Sequence, residues 1–160
     1  MSMPQVHIIA HATDLGISAQ RGAEMLSLML GCGIISRLVS GWISDRVGGL
    51  RTLLLGSGLQ GVVLAAFLTA DSLTALYIVS ACFGLSQGGV VPSYAIIVRT
   101  FFPAGEAGWR IGTALFFTIF GMALGGWLAG FLYDVTGSYT VSFINALAFN
   151  AMNFLIVAFL

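Results

Sequence analysis

Charge is so sparse in this chain, and so placed, that most of it consists of long stretches of apolar and small residues. Cutting the sequence at its charges, with Arg37 left inside and Glu24 at a rim, gives apolar spans near 23 to 44, 52 to 70, 73 to 98, 111 to 133 and 139 to 160. A helix rises 1.5 Å per residue, so about 20 residues cross the hydrocarbon core of a bilayer. Five complete transmembrane helices are therefore expected. Ahead of them, "MSMPQVHIIAHA" (1 to 12) is apolar but half as long, and it runs into a loop, "TDLGISAQRGA". It reads as the tail of a sixth helix.

Composition supports the same class. Hydrophobic residues make up 58% of the 160 and charged residues only 8%, with a mean hydropathy of +1.00. That is too little charge to coat a water-soluble globule, so the expected fold is an all-α, polytopic bundle in a lipid bilayer. Lysine is absent, the net charge is zero and the six arginines stand singly, which excludes a basic surface for nucleic acid. Cys32 and Cys82 lie in separate apolar runs, far from any CxxC pattern, and read as small core residues. Nucleophile, base and orienting acid converge in no recognisable spacing, so neither an enzyme nor a cofactor is expected. Met1 is followed by neither a basic n-region nor an A-x-A site, so no signal peptide is expected.

Orientation follows from the arginines, because cytoplasmic loops retain positive charge. Arg46, Arg51, Arg99 and Arg110 fall in the two loops of one side, whereas the other side holds Arg21 among Asp14, Glu24, Asp71 and Asp134. The first side is expected to be cytoplasmic, with the C-terminus there too.

Small residues mark the faces where helices meet. The fourth span carries Gly121, Gly125, Gly126 and Gly130, two overlapping G-x-x-x-G pairs; the third carries Gly84 and Gly88, then Gly89 and Pro92. In lipid such residues let backbones approach closely. Pro92 is expected to bend its helix.

Arg37 is the exception that asks for an explanation. Steps of three and four from it reach Leu30, Gly33, Ile34, Ser40, Gly41 and Ser44, a face of mostly small and polar residues. That division points the cation towards protein or a water-filled path, where a charge costs roughly 2.5 to 3.5 kcal/mol and marks a substrate or ion route. Alternatively it snorkels, being only about 12 Å along the helix from Asp45. His7 and His11 stand at i, i+4 on the stub and share a face; with no Cys or third His beside them a metal site is not expected, leaving cavity lining or packing. Gln87 is a further cavity candidate. Asn145 and Asn153 read as bonds to a neighbouring helix, and Glu106 with Arg110 as an exposed i, i+4 pair.

"GWISDRVGGLR", from Gly41 to Arg51, resembles the G-x-x-x-D-R-x-G-x-R-R loop signature of the major facilitator superfamily, with Gly41, Asp45, Arg46 and Gly48 in register and Gly49 and Leu50 in place of part of the basic tail. "ATDLGIS", "VPSYAIIVRTFFPAGEAGWRIG" and "GMALGGWLAGFLYDVTGSY" are similar to stretches of bacterial facilitators related to the monocarboxylate and oxalate/formate porters. The resemblance implies that the five spans are helices 8 to 12 of twelve, that the stub is the end of helix 7, and that the partner is a missing N-terminal six-helix half. It also implies a location in the inner (plasma) membrane, a substrate carboxylate on Arg37, and a gate role for Asp45 and Arg46 with Gly41 and Gly48. Where animal porters carry an acid one turn before that arginine, this chain has Gly33, and the lysine that oxalate carriers add in helix 11 is missing. One carboxylate is thus the better match than two.

The expectation is half of a secondary transporter of a small organic anion, monocarboxylate-like, working by alternating access and inactive alone. Proton coupling, if used, would fall to a histidine or to the missing half, since no acid lies deep in a span. The competing expectation is a non-transporting subunit or a helix-packing, regulatory fragment.

Overall fold

The structure is a computed structural model that describes residues 3–159; positions 1, 2 and 160 of the expected stub and last span lie outside the described residues. Seven helices follow one another: α1 (Met3–Asp14), α2 (Ala19–Val47), α3 (Gly49–Phe67), α4 (Leu73–Gln87), α5 (Val90–Phe101), α6 (Ala104–Thr136) and α7 (Tyr139–Ala158). Since α4 and α5 form one interrupted span, five segments are long and apolar enough to cross a membrane.

Each helix begins and ends for a local reason. The hydroxyls of Ser18, Ser72 and Ser138 accept from the backbone N–H of Arg21, Ala75 and Thr140 at the starts of α2, α4 and α7, meeting donors that have no partner within the helix. Between α2 and α3 the chain turns on Gly48 alone, at φ 88°, while its N–H still bonds the Ser44 carbonyl. Any side chain is strained at that φ, so the second glycine of the loop signature is a backbone requirement.

The interruption between α4 and α5 lies at Gly88 and Gly89 rather than at Pro92 itself. Proline has no N–H to return to the Gly88 carbonyl, and four residues on it sits in the first turn of α5, where that N–H would be unused anyway. The bend expected from Pro92 is therefore a break one turn earlier.

Glycine allows α2 and α4 to cross almost backbone to backbone. A Cβ on Gly84 would lie 2.2 Å from the Met29 carbonyl oxygen, and one on Gly88 would lie 2.7 Å from the backbone nitrogen of Arg37. The Ser36 hydroxyl fixes the same crossing by donating to the Leu85 carbonyl. By contrast, Gly126 and Gly130 of α6 meet only Val6 and His7 of α1 at ordinary contact distance, and Gly121 meets nothing within 4 Å.

The apolar core gathers where α1, α2, α3, α4 and α7 converge, around Ile8, Met25, Met29, Leu64, Phe67, Phe83 and Phe143. Phe67 stacks on Phe143 with ring centres 5.1 Å apart. Half of the best apolar window of α4–α5 is buried but only 11% of those of α2 and α6. The interrupted helix is thus central, whereas α2 and α6 offer most of their apolar surface outwards, to lipid or to further protein.

Candidate functional site

The loose packing of α6 leaves space beside it. A cavity of about 730 Å³ opens between α6 and the helices α3, α4, α5 and α7, with Met3 of α1 at its edge. Tyr94, Phe117, Trp127 and Phe149 are among its apolar walls, and Gln60, Gln87, Thr118, Asn145 and Asn153 among its polar groups; among the described residues no charged side chain lines it. Gly121 and Gly125, expected to be a packing pair, line this cavity instead.

Some of the polar groups are already engaged. Asn153 donates to the Ser57 hydroxyl across α3 and α7 at 3.2 Å, a bond between neighbouring helices as its spacing suggested. Gln87 donates through Nε2 to Oε1 of Gln5 at 3.4 Å, while its own Oε1 has no hydrogen-bond partner. Gln60 is fully buried, and neither of its amide atoms is hydrogen-bonded. The sequence reading named Gln87 and missed Gln60 and Ser57. Their signal was present: Ser57 and Gln60, one turn apart, interrupt a span of only 19 residues, and polar groups at membrane depth are costly enough to need a reason.

Arg37 is not part of this cavity. The buried stripe of α2 runs through Met25, Met29, Ser36 and Ser44, so Arg37 stands one residue aside from the seam with α4. Its backbone is pressed against Gly88, but its side chain is exposed, and no ion pair involving it occurs among the described residues. Leu30 and Ile34 on the same side are also exposed, at 52% and 63%. The cation therefore faces outwards from this bundle, beside the break in the central helix.

The two histidines separate as well. His7 holds the Gly126 carbonyl oxygen at 3.0 Å through Nε2 and lies 3.4 Å from the Tyr139 hydroxyl through Nδ1. His11, one turn on, meets the rings of Tyr139 and Phe143 edge-on at 5.6 and 5.2 Å. It lines a second pocket of about 180 Å³ together with Asp14, Asp71 and Ser138. The i, i+4 spacing thus brings both imidazoles to one tyrosine, and neither reaches Gln87 or Arg37 in a shared cavity. No three His, Cys, Asp or Glu side chains among the described residues are grouped to hold a metal ion.

At the opposite end lies the loop signature. Arg46 lies over the Trp42 ring, 3.7 Å from its centre. Asp45 is exposed and belongs to neither ion pair found among the described residues. Gly41 is half-buried, with nothing within 4 Å of a Cβ there. Glu106 and Arg110 form a partly exposed pair at 2.7 Å, and the guanidinium also covers Phe102 at 3.9 Å.

Apolar helices long enough to span a bilayer, a broken central helix, a cavity between helices and an exposed cation outside the ion pairs found among the described residues together define a multi-pass membrane helix bundle. The chain belongs to the Major Facilitator Superfamily, whose family model matches residues 1–160. It is 35% identical to "Monocarboxylate transporter 13" of Rattus norvegicus over 149 residues, which are 92% of this chain and 35% of the relative. With "Monocarboxylate transporter 12" of Homo sapiens it shares 26% over 147 residues, 87% of this chain and 28% of the relative. With the "Gentisate transporter" of Corynebacterium glutamicum it shares 31% over 111 residues, 69% of this chain and 25% of the relative. The chain spans about a third of the length of the first of these relatives.

Proposed function

We propose that this chain is the C-terminal half of a secondary transporter that moves a small organic anion, monocarboxylate-like, by alternating access. The carrying observation is Arg37: an exposed cation in the interior of a spanning helix, outside both ion pairs, held against the hinge-like break between α4 and α5. A lone charge at that depth is costly and is retained where it meets a ligand. The names of the rat and corynebacterial relatives support a carboxylate as that ligand. In this reading α1 is the end of helix 7, α2 and α3 are helices 8 and 9, α4–α5 is helix 10, and α6 and α7 are helices 11 and 12. The missing six-helix half supplies the second wall of the path.

Gln87, His7 and His11 are assigned to the path on the central and outer side, and Asp45, Arg46, Gly41 and Gly48 to the cytoplasmic gate loop. An acid at such a loop can accept hydrogen bonds from the positive end of a neighbouring helix and release them as the halves rock. Proton coupling, if used, would draw on His7, His11 or the other half.

Uptake into proteoliposomes tests this reading. Joined to its N-terminal half, the chain should give saturable uptake of radiolabelled gentisate or another monocarboxylate, and alone it should give none. Failure of the completed protein across a panel of monocarboxylates would end the proposal.

The proposed orientation puts the C-terminus in the cytoplasm of a cell whose plasma membrane holds the protein. A single cysteine at Gly105, an exposed position with nothing within 4 Å of a Cβ, in a background lacking Cys32 and Cys82, should then be shielded from an impermeant thiol reagent outside intact cells. One at Ser138 should react. The opposite pattern would invert the topology.

A further inference from the structure

The Gln60 amide is a buried polar group that the anion path does not use. It lines the 730 Å³ cavity, is completely buried, and has both Nε2 and Oε1 without a hydrogen-bond partner. Leaving either unmade is costly in a medium without water. The volume lies in the range of small-molecule pockets, and aromatic rings of three helices, Tyr94, Phe117, Trp127 and Phe149, line it. Because no charged side chain among the described residues faces this space, an ion inside it would be desolvated without compensation from them.

We propose that this cavity binds an uncharged molecule with an aromatic or aliphatic body and a carboxylic acid or primary amide head that pairs with the Gln60 amide. Such a head carries one donor and one acceptor on the same carbon, as the side chain of Gln60 does, so two parallel hydrogen bonds satisfy both orphaned atoms at once. The terminal torsion of glutamine is broad, so the amide turns towards a guest without leaving its rotamer. Gln87 Oε1, also without a donor, accepts a hydroxyl elsewhere on the body. A carboxylic acid enters protonated, because its anion finds no cation here. The inference goes beyond the anion path: Arg37, His7 and His11 do not line this cavity, and of the residues assigned to that path only Gln87 borders both.

Benzamide is a suitable probe, and Trp127 fluorescence a direct readout, in chain carrying Trp42→Phe and Trp109→Phe in lipid nanodiscs. Benzamide should quench saturably and bind about tenfold more tightly than ethylbenzene, which has the same ring and no head. Gln60→Leu should abolish that advantage and leave ethylbenzene unchanged. Benzamide binding should be flat with pH, whereas benzoic acid binding should fall about tenfold per pH unit above its own pKa.

Equal affinities for benzamide and ethylbenzene in the unsubstituted pocket would overturn the proposal, leaving an apolar cavity only. So would absence of saturable quenching by benzamide, or unchanged benzamide affinity in Gln60→Leu. The first comparison needs no change at Gln60, so a misfolded variant does not shelter the idea. Benzamide binding without anion uptake would sink the reading of Arg37 alone, and uptake without benzamide binding would sink this one alone.

Discussion

Gly84→Ala should force α2 and α4 apart and destabilise the bundle by about 3 kcal/mol, the upper part of the range for overpacking. The added methyl would stand 2.2 Å from the carbonyl oxygen of Met29 and 2.9 Å from Cβ of Cys32. The first of these is backbone, which no rotamer change can move. The control is Gly31→Ala in α2, where nothing lies within 4 Å and alanine should stabilise the helix by up to about 1 kcal/mol. Thermal unfolding of the two variants in the same detergent compares them. Equal midpoints would mean that the helices do not cross this closely. A large loss confined to Gly84→Ala fits the crossing that carries Arg37 and the broken helix together.

Five spans were legible because a bilayer sets the length of the apolar runs, while the helices that hold them run on past the charges that bound those runs. The α6 helix starts at Ala104 rather than near 111 because the Glu106–Arg110 pair bonds along one helix face and carries the helix through charged residues. The α2 helix reaches back to Ala19 because Ser18 caps it. Length and charge cannot report either effect, whereas capping chemistry can.

The same motif had two outcomes for a reason outside its own segment. Gly84 and Gly88 are pressed on α2, while Gly121 and Gly125 line a cavity; which occurs depends on what stands opposite, and that is set by residues far away in the chain. Gln60 escaped notice for a similar reason. Ser57 and Gln60 marked a polar interruption of the span, but what surrounds Gln60 comes from α4, α5, α6 and α7 as well as α3. Arg37 could be placed from sequence on a helix face of small and polar residues. The structure packs the adjacent stripe of Ser36 and Ser44 and leaves Arg37 exposed beside it.

Arg37→Lys has the second large expected effect. A guanidinium presents two parallel N–H donors to a carboxylate, whereas an ammonium is a point charge that cannot reproduce the fork. Lysine keeps the charge and reaches a membrane surface equally well, so a snorkelling role would survive the change and a carboxylate-binding role would not. Expression and assembly should be unaffected, because the side chain is exposed and outside the packed seam.

The decisive measurement tests the proposed half-transporter reading: with the chain joined to a six-helix N-terminal half, equilibrium binding of a radiolabelled monocarboxylate is compared for the unsubstituted protein and Arg37→Lys at matched amounts. The carboxylate role predicts a loss of about 1.4 kcal/mol or more, at least tenfold in Kd, with lysine. Equal affinities would contradict it and leave Arg37 a cation that merely reaches the membrane edge marked by Asp45 and Arg46.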